Sequence, residues 1–385
     1  MANSFANVLP VLVARSLMAL REQALITRLV NRDFDTIPQG QGDSVTVTLP
    51  TPKTVSDVVP SATPIVGQDS TPSKVSIQLS QWKKVNMVIT DKEVGMITNG
   101  VIPSELSEMV KALANFVNSW FYSQYVKFYG MAGTPGTIAF NAGTTADAIS
   151  ARRLLGKQLA PNDPRYIILD PEAEAKALAV SDIVRADARG DGSAITTGRI
   201  ARTLGFEWFM DQLIPRHAST ALTAGACTVN GAQAVGAGST DNGRTGTVSI
   251  NKLTNAANLV VGDILTFAGD TQQYVVRTAV TLAVGNTTVD IAPALRTAKS
   301  GAEAVTLAAS HTVNLAFHRD AIMFASRPLT SLSGNREFLS IPDPQTGIVL
   351  RGELVPQHKQ TVFELDILFG GEVVRPEFGV RIAGQ

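Results

Sequence analysis

The chain has 385 residues, enough for two or three domains with their own cores. Thirty-three basic side chains balance thirty-three acidic ones, so no net field exists to hold nucleic acid tightly or to oppose self-association. The single cysteine, Cys227, excludes an intrachain disulfide and fits a reducing compartment. It lies in a Gly/Ala/Thr-rich stretch with no histidine nearby, so it reads as a small packed side chain rather than a nucleophile. The N-terminus lacks a basic region, and Arg15 and Arg21 interrupt its apolar run. Neither a signal peptide nor a membrane anchor is expected, and cytoplasm is the default place of synthesis.

Residues 1–34 place Leu9, Leu12, Val13, Leu17, Leu20, Ile26 and Leu29 at helical spacing. This amphipathic segment must dock its apolar face on the rest of the chain or on another chain. After a break at Pro38–Gly42, Asp43–Leu49 alternates strictly, as does Lys74–Thr90, so both read as strands. Between them lies a Pro/Ser/Thr/Val-rich stretch too apolar for a plain disordered linker. An extended two-stranded arm with an apolar tip is expected. Its edges are an aggregation hazard unless another subunit covers them.

Pro103–Tyr129 reads as one long helix, roughly 40 Å at 1.5 Å per residue. Pro103 suits the first helical position, Glu105 and Glu108 complement the positive end of the dipole, and Gly130 reads as the stop. Leu106, Met109, Val110, Leu113, Phe116, Val117, Trp120 and Phe121 share one face. Trp120 and Phe121 are expected to be buried, with Lys111 and Asn118 turned to solvent or to a neighbour.

From Thr144 the pattern alternates between helix and strand: helix at Ala146–Leu159, strand at Arg165–Leu169, helix from Pro171 with Asp170 as N-cap, helix at Ile195–Leu204 stopped by Gly205, and strand at Phe206–Leu213. Near Ala221 the composition shifts to Ala, Gly, Thr and Val. About six short β runs then alternate with turn pairs such as Asn242-Gly243, Gly269-Asp270 and Gly285-Asn286 up to about Ser310, which suggests a small inserted barrel or sandwich. Val313–Pro328 returns to α/β texture. The end is β-rich: Gly347–Leu354, Thr361–Leu368 and Glu372–Arg375, with Gly370-Gly371 read as a tight turn, then Gly379–Ile382.

A search for chemistry finds little. No phosphate loop, dinucleotide fingerprint or G-x-S-x-G elbow is present. His217, His311, His318 and His358 show no metal-ligand spacing, and one cysteine cannot complete a zinc site. His318 and Asp320 could join a distant serine, but any chain of this size offers such a combination. Arg189-Gly190-Asp191 and Asn286-Thr287-Thr288 read as turns, and Lys83-Lys84 is too short for a nucleic-acid patch. No catalytic, metal or cofactor site is expected. The alternative of a cytoplasmic hydrolase with an appended β domain has no motif behind it.

The order of these parts, with the phrases NLAFHRDAIMFASRPL and FELDILFGGEVVRPEFGVRI, resembles the major capsid proteins of tailed bacteriophages, the Hong Kong 97-type fold. The β insertion with VGDILTFAG looks like the inserted domain of short-tailed Salmonella-phage coat proteins. The resemblance implies an α+β fold with an N-terminal arm (1–35), an extended hairpin or E-loop (36–95), and a peripheral domain (96–143) holding the spine helix 103–129. An axial α/β domain (144–220), an inserted β-barrel (221–312), the axial return (313–335) and peripheral C-terminal strands (336–385) complete it. It implies a self-assembling icosahedral shell of pentamers and hexamers around double-stranded DNA, built in the host cytoplasm and residing in the virion. Expected partners are a separate scaffolding protein, a portal protein and a decoration protein, with DNA touched only weakly. No membrane contact or enzymatic activity is implied. A cellular nanocompartment shell of the same fold is the near alternative. The candidate inter-subunit residues are Val58, Val59, Ile65, Val66, Trp82, Lys83, Lys84, Asp241 and Arg244, and Ala232–Arg244 is the candidate for a shortened bridging loop. The spine-helix core is Leu106, Val110, Leu113, Phe116, Val117, Trp120 and Phe121.

Overall fold

The structure, a computed structural model, describes residues 8–33, 44–50, 53, 55, 57, 58, 67, 72–90, 105–185, 193–220, 222, 227–240, 243–253, 257–329, 337–358 and 360–385. Val59, Ile65, Val66, Pro103, Arg189-Gly190-Asp191, Asp241 and Asn242 lie outside the described residues.

Helix α1 (Val8–Gln23) and the short α2 (Ile26–Leu29) lead the chain. Leu12, Val13, Leu17 and Leu20 are buried, and α1 packs on the long helix and the C-terminal strands of its own chain. Strands β1 (Ser44–Leu49) and β2 (Ser73–Gln78) pair antiparallel, Val47 opposite Val75, as a separate ribbon. The alternating run at 74–90 is broken at Leu79-Ser80. Strand β3 (Gln81–Thr90) therefore leaves the ribbon and joins the C-terminal sheet.

Helix α3 (Glu105–Ser123) carries Glu105 and Glu108 in its first turn. Its 19 residues span about 28 Å, shorter than the sequence implied. The chain tightens into a 3₁₀ turn at Gln124–Lys127, and Phe128 is already extended. Gly130 is not the helix stop; it opens strand β4 (Gly130–Ala132), where a Cβ would come within 3.1 Å of Val380. Glycine lets β4 approach the last strand closely.

Next come α4 (Ala146–Lys157), β5 (Arg165–Leu169) and α5 (Pro171–Leu178). Asp170 caps α5 by accepting from the Ala173 N–H, with Pro171 at the first helical position. After α6 (Ser181–Val184), helix α7 covers only Ser193–Thr197. The helix expected to Leu204 ends early because Gly198 takes a left-handed φ of 70°, a glycine stop that follows β-branched Ile195, Thr196 and Thr197. Strands β6 (Glu207–Met210) and β7 (Arg216–His217) complete this part.

Eight strands then follow: β8 (Cys227–Val229), β9 (Gly246–Lys252), β10 (Ala257–Leu259), β11 (Ile264–Phe267), β12 (Tyr274–Val276), β13 (Val280–Leu282), β14 (Gly285–Ala292) and β15 (Val305–Leu307). Six of them order as β15-β11-β12-β14-β9-β8. The Val229 N–H donates to the Glu303 carbonyl and the Ala302 N–H to the Val229 carbonyl, so the first and last strands meet and the sheet closes on itself. Strands β10 and β13 form a small flap. The interior holds Val229, Val248, Ile250, Leu265, Phe267, Tyr274 and Ile291, a core separate from that of the body. Cys227 is buried there, and burial raises its thiol pKa. Asn286-Thr287-Thr288 is not a turn; it lies within β14.

The chain returns through β16 (His311–His318) and β17 (Ile322–Ser326), joined by a 3₁₀ turn at Arg319–Ala321, so residues 313–328 are strands rather than α/β. Strands β18 (Glu337–Pro342), β19 (Val349–Gln357), β20 (Gln360–Val373) and β21 (Gly379–Ala383) end it. One body sheet orders as β4-β21-β16-β5-β6. The other is β17-β20-β19-β18, with β3 along β20.

Gly370-Gly371 is not a turn. Both residues lie inside the 14-residue β20. A Cβ on Gly370 would stand 2.1 Å from the Gln78 carbonyl oxygen, and one on Gly371 would stand 2.6 Å from the Phe121 ring. The pair lets the β1–β2 ribbon pass on one side and α3 pack on the other.

Candidate assembly surfaces

Helix α3 is the centre from which the surfaces are built. Leu106, Met109, Val110, Leu113, Val117 and Phe121 are buried, while Phe116 and Trp120 are partly buried against the same core. The rings converge on β20: Phe116, Trp120 and Phe121 lie 6.3, 5.4 and 6.2 Å from Phe369, and Phe121 lies 5.5 Å from Phe324. Asn118 is not on an outer face. It is buried, and its amide donates to Asp211, which also accepts the Tyr122 hydroxyl at 2.7 Å and the Leu213 N–H at 2.9 Å. Burial, then the Asp211 charge, raise the Tyr122 pKa. Helical spacing placed Asn118 among polar positions, but only the fold brings an acceptor 93 residues away beside it. Lys111 does point outward and pairs with Glu108.

The ribbon is rooted by Val45, Val47, Ile77 and Leu79, packed on Met323, Ala325 and Val374. Beyond that root Val55 and Val58 are exposed apolar side chains that no described residue covers. Trp82, Lys83 and Lys84 stand on the outer strand β3. Trp82 is 60% exposed, yet its indole N–H donates to Asp366 at 2.9 Å. Lys83 sits 5.1 Å over the Phe116 ring, and Lys84 pairs with Glu364 at 3.1 Å. Asp366 also binds the buried Arg351, whose Nε donates at 2.8 Å; this bond raises the Arg351 pKa. All three residues thus have intramolecular partners and remain at the surface. Arg244 is half-buried on the barrel and donates to the Val374 carbonyl of the body.

Sequence reasoning missed a further set of exposed apolar side chains: Ile149, Leu159, Ile195 and Met210. Leu159, 86% exposed with φ of 60°, reads in periodicity as the last apolar position of its helix. It lies two residues beyond the end of α4. No local signal separates these positions from core.

His318 and Asp320 do not form a catalytic pair. The Asp320 N–H donates to His318 Nδ1 at 3.2 Å, and the Asp320 carboxylate accepts the Asn31 amide at 2.7 Å, so both serve the β16–β17 turn. Among the described residues no group of three metal-ligating side chains assembles. No helix among them is long and apolar enough to cross a membrane.

Known proteins show the same architecture. Residues 74–250 match the family described as phage capsid protein, a span from β2 into β9. A chain from Mycobacterium phage Che8 superposes with a TM-score of 0.51 at 15% identity, covering 94% of this chain and 91% of that one. A chain from the capsid structure of the Cyanophage P-SCSP1u gives 0.51 at 12% identity, covering 94% and 88%. The fold is that of tailed-phage capsid proteins. No curated protein sequence matches the chain. On this capsid fold, of the Hong Kong 97 type, α3 stands as the spine and β1–β2 as the projecting ribbon.

Proposed function

We infer that this chain is a major capsid protein, which assembles in many copies into the icosahedral shell of a tailed bacteriophage and resides in the virion. The observation that carries the reading is the phage-capsid family match over residues 74–250, continuous through the ribbon, spine and axial elements. The family is structural and points away from enzymatic work.

The finer reading divides the chain as the resemblance implied: arm 1–35, E-loop 36–95, peripheral domain 96–143 and 336–385, axial domain 144–220 and 313–335, and inserted barrel 221–312, in the manner of short-tailed phage coats. Support comes from the separate barrel core and from exposed Val55 and Val58 beyond the ribbon root. Exposed Ile149, Leu159, Ile195 and Met210 offer apolar area that subunits around an axis bury. Each such contact can be weak, because a subunit in a shell makes many at once. Val58, Val59, Ile65, Val66, Trp82, Lys83, Lys84, Asp241 and Arg244 are proposed to meet neighbours. A separate scaffolding protein, a portal and a decoration protein are the proposed partners. Zero net charge supports weak, non-specific contact with packaged DNA.

Electron microscopy of the full chain, expressed alone and with a co-expressed scaffolding protein, tests the reading. Closed shells or shell fragments are expected. Monodisperse monomers under every condition count against it.

A further inference from the structure

The barrel leaves the body after β7 and returns at β16, and a histidine stands at each crossing. His217 and His311 are register partners across the β7–β16 pair, with rings 5.5 Å apart. Both are buried; His217 meets the barrel turn that carries Gly262 and Asp263, and His311 packs behind it on the His217 ring. Asp263 is fully buried. It contacts His217 Nε2 at 2.9 Å and accepts the Val260 N–H at 2.8 Å. The other ring nitrogen of His217 meets the Tyr125 hydroxyl at 2.9 Å. Arg381, on the last strand and fully buried, donates to the Gly262 carbonyl at 2.6 Å and lies 5.0 Å over the Tyr125 ring. Strands β7 and β21 therefore grip one turn of the barrel, and Tyr125 and His311 back the gripping side chains.

We propose that this cluster is an acid-releasable clamp: it fixes the barrel to the body at neutral pH, and protonation of His311 loosens the barrel while both cores stay folded.

The hydrogen-bond pattern locates the proton. His311 Nδ1 lies 2.7 Å from the Ala309 carbonyl, so it carries the ring N–H of the neutral form. Nε2 then holds the lone pair, and it is buried with no partner among the described residues. A second proton must enter there and become a buried donor without an acceptor. The titratable groups around the ring are Arg381 from the last strand, His217 from β7, Asp263 from the barrel and Tyr125. Burial first, with Arg381 and His217 adding to it, lowers His311 to about 4, while the Ala309 bond and Asp263 act the other way. Arg381, lowered by burial to about 9, keeps its charge throughout this range.

The sign follows from linkage. Once opened to water the ring titrates near its ordinary value of about 6.5. Between there and about 4 the open form binds a proton that the closed form refuses, so opening grows about tenfold per pH unit as pH falls. Other contacts also span the junction. The Gln273 side chain bonds the Met131 backbone, Arg244 donates to the Val374 carbonyl, and Tyr129 packs with Val275 and Ala292. The clamp belongs to the single chain and does not rest on shell assembly.

Hydrogen exchange by mass spectrometry on the full soluble chain, corrected for intrinsic rates, tests the clamp from pH 7.5 to 4.5. Peptides over 215–220, 260–263 and 309–313 are expected to open about 40-fold more at pH 4.5 than at 6.5. The barrel strands 246–252 and 285–292 should keep their protection. His311→Gln should flatten the profile. An unchanged slope in H311Q, or barrel strands opening in step with the root, overturns the proposal. Asp263→Asn provides an independent arm: removing the anion should open the same peptides at least about tenfold at pH 7.5, and unchanged protection in D263N also overturns it.

Discussion

Gly370→Ala is the sharpest single test of how the ribbon is mounted. The added methyl would lie 2.1 Å from the Gln78 carbonyl oxygen, 2.8 Å from its carbon and 3.0 Å from Leu79 Cα. Comfortable carbon contacts begin near 3.5 Å, so the backbone of β2 must retreat by about 1 Å or more. The colliding atoms are main chain and have no rotamer to swing away. Complete detachment would expose Val45, Val47, Ile77 and Leu79, an upper bound of about 6–12 kcal/mol at about 1.5–3 kcal/mol per side chain. A 1 Å shift forfeits a quarter to a half of those contacts. The expected loss is therefore about 1.5–6 kcal/mol, overlapping and exceeding the usual about 1–3 kcal/mol of overpacking. Urea unfolding followed by tryptophan fluorescence reads it, because Trp82 lies on the adjoining strand and Trp120 packs on Phe369 of β20. Gly156→Ala is the matched control: its Cβ meets nothing within 4 Å and lies in a helix, so a gain of about 0.5–1 kcal/mol is expected. A loss below about 0.5 kcal/mol in G370A would refute the reasoning, since the ribbon would then not depend on that close approach.

Two further outcomes follow from buried polar groups. Asp211→Ala strips the acceptor from the Tyr122 hydroxyl and the Asn118 amide, so thermal unfolding should show a loss of about 2–3 kcal/mol, with about 1 kcal/mol for Tyr122→Phe; equal losses in the two variants would argue against the shared acceptor. Within the barrel, Lys299 pairs with Asp270 at 2.6 Å, both buried, and Lys299→Met should cost about 3–5 kcal/mol by leaving a carboxylate unpaired. Burial pushes Asp270 up, but bonds from Lys299, Gln272 and Tyr274 hold it below its ordinary value. A depressed carboxylate contributes stability above its unfolded value near 3.9 that is lost as pH falls through the lower folded value. Circular-dichroism melts of wild type and K299M should therefore converge as pH drops from 5 to 3. A constant gap would mean the pair is not the source.

Sequence periodicity was sufficient wherever a segment's partners were implicit in its own pattern. The apolar face of α3, the strand Arg165–Leu169, the Asp170 cap and the composition change near 221 depend on spacing, capping chemistry and turn residues. These are local, and one sequence displays them. Other features were settled by residues far apart in the chain. Gly370-Gly371 looked like a turn because glycine pairs usually make turns, yet tertiary structure uses them for two close approaches within one strand. Gly130 looked like a helix stop and is a contact with Val380. Asn118 looked exposed until Asp211 arrived beside it, and Leu159 was read as the last residue of a helix that ends two residues earlier. The cluster around His311 is the extreme case. Tyr125, His217, Asp263, His311 and Arg381 span most of the chain, and no spacing rule joins them. Local preference follows from a residue and its near neighbours, and the sequence alone determined that much. Burial and hydrogen-bond partners depend on which surfaces meet, and only the tertiary structure decided those.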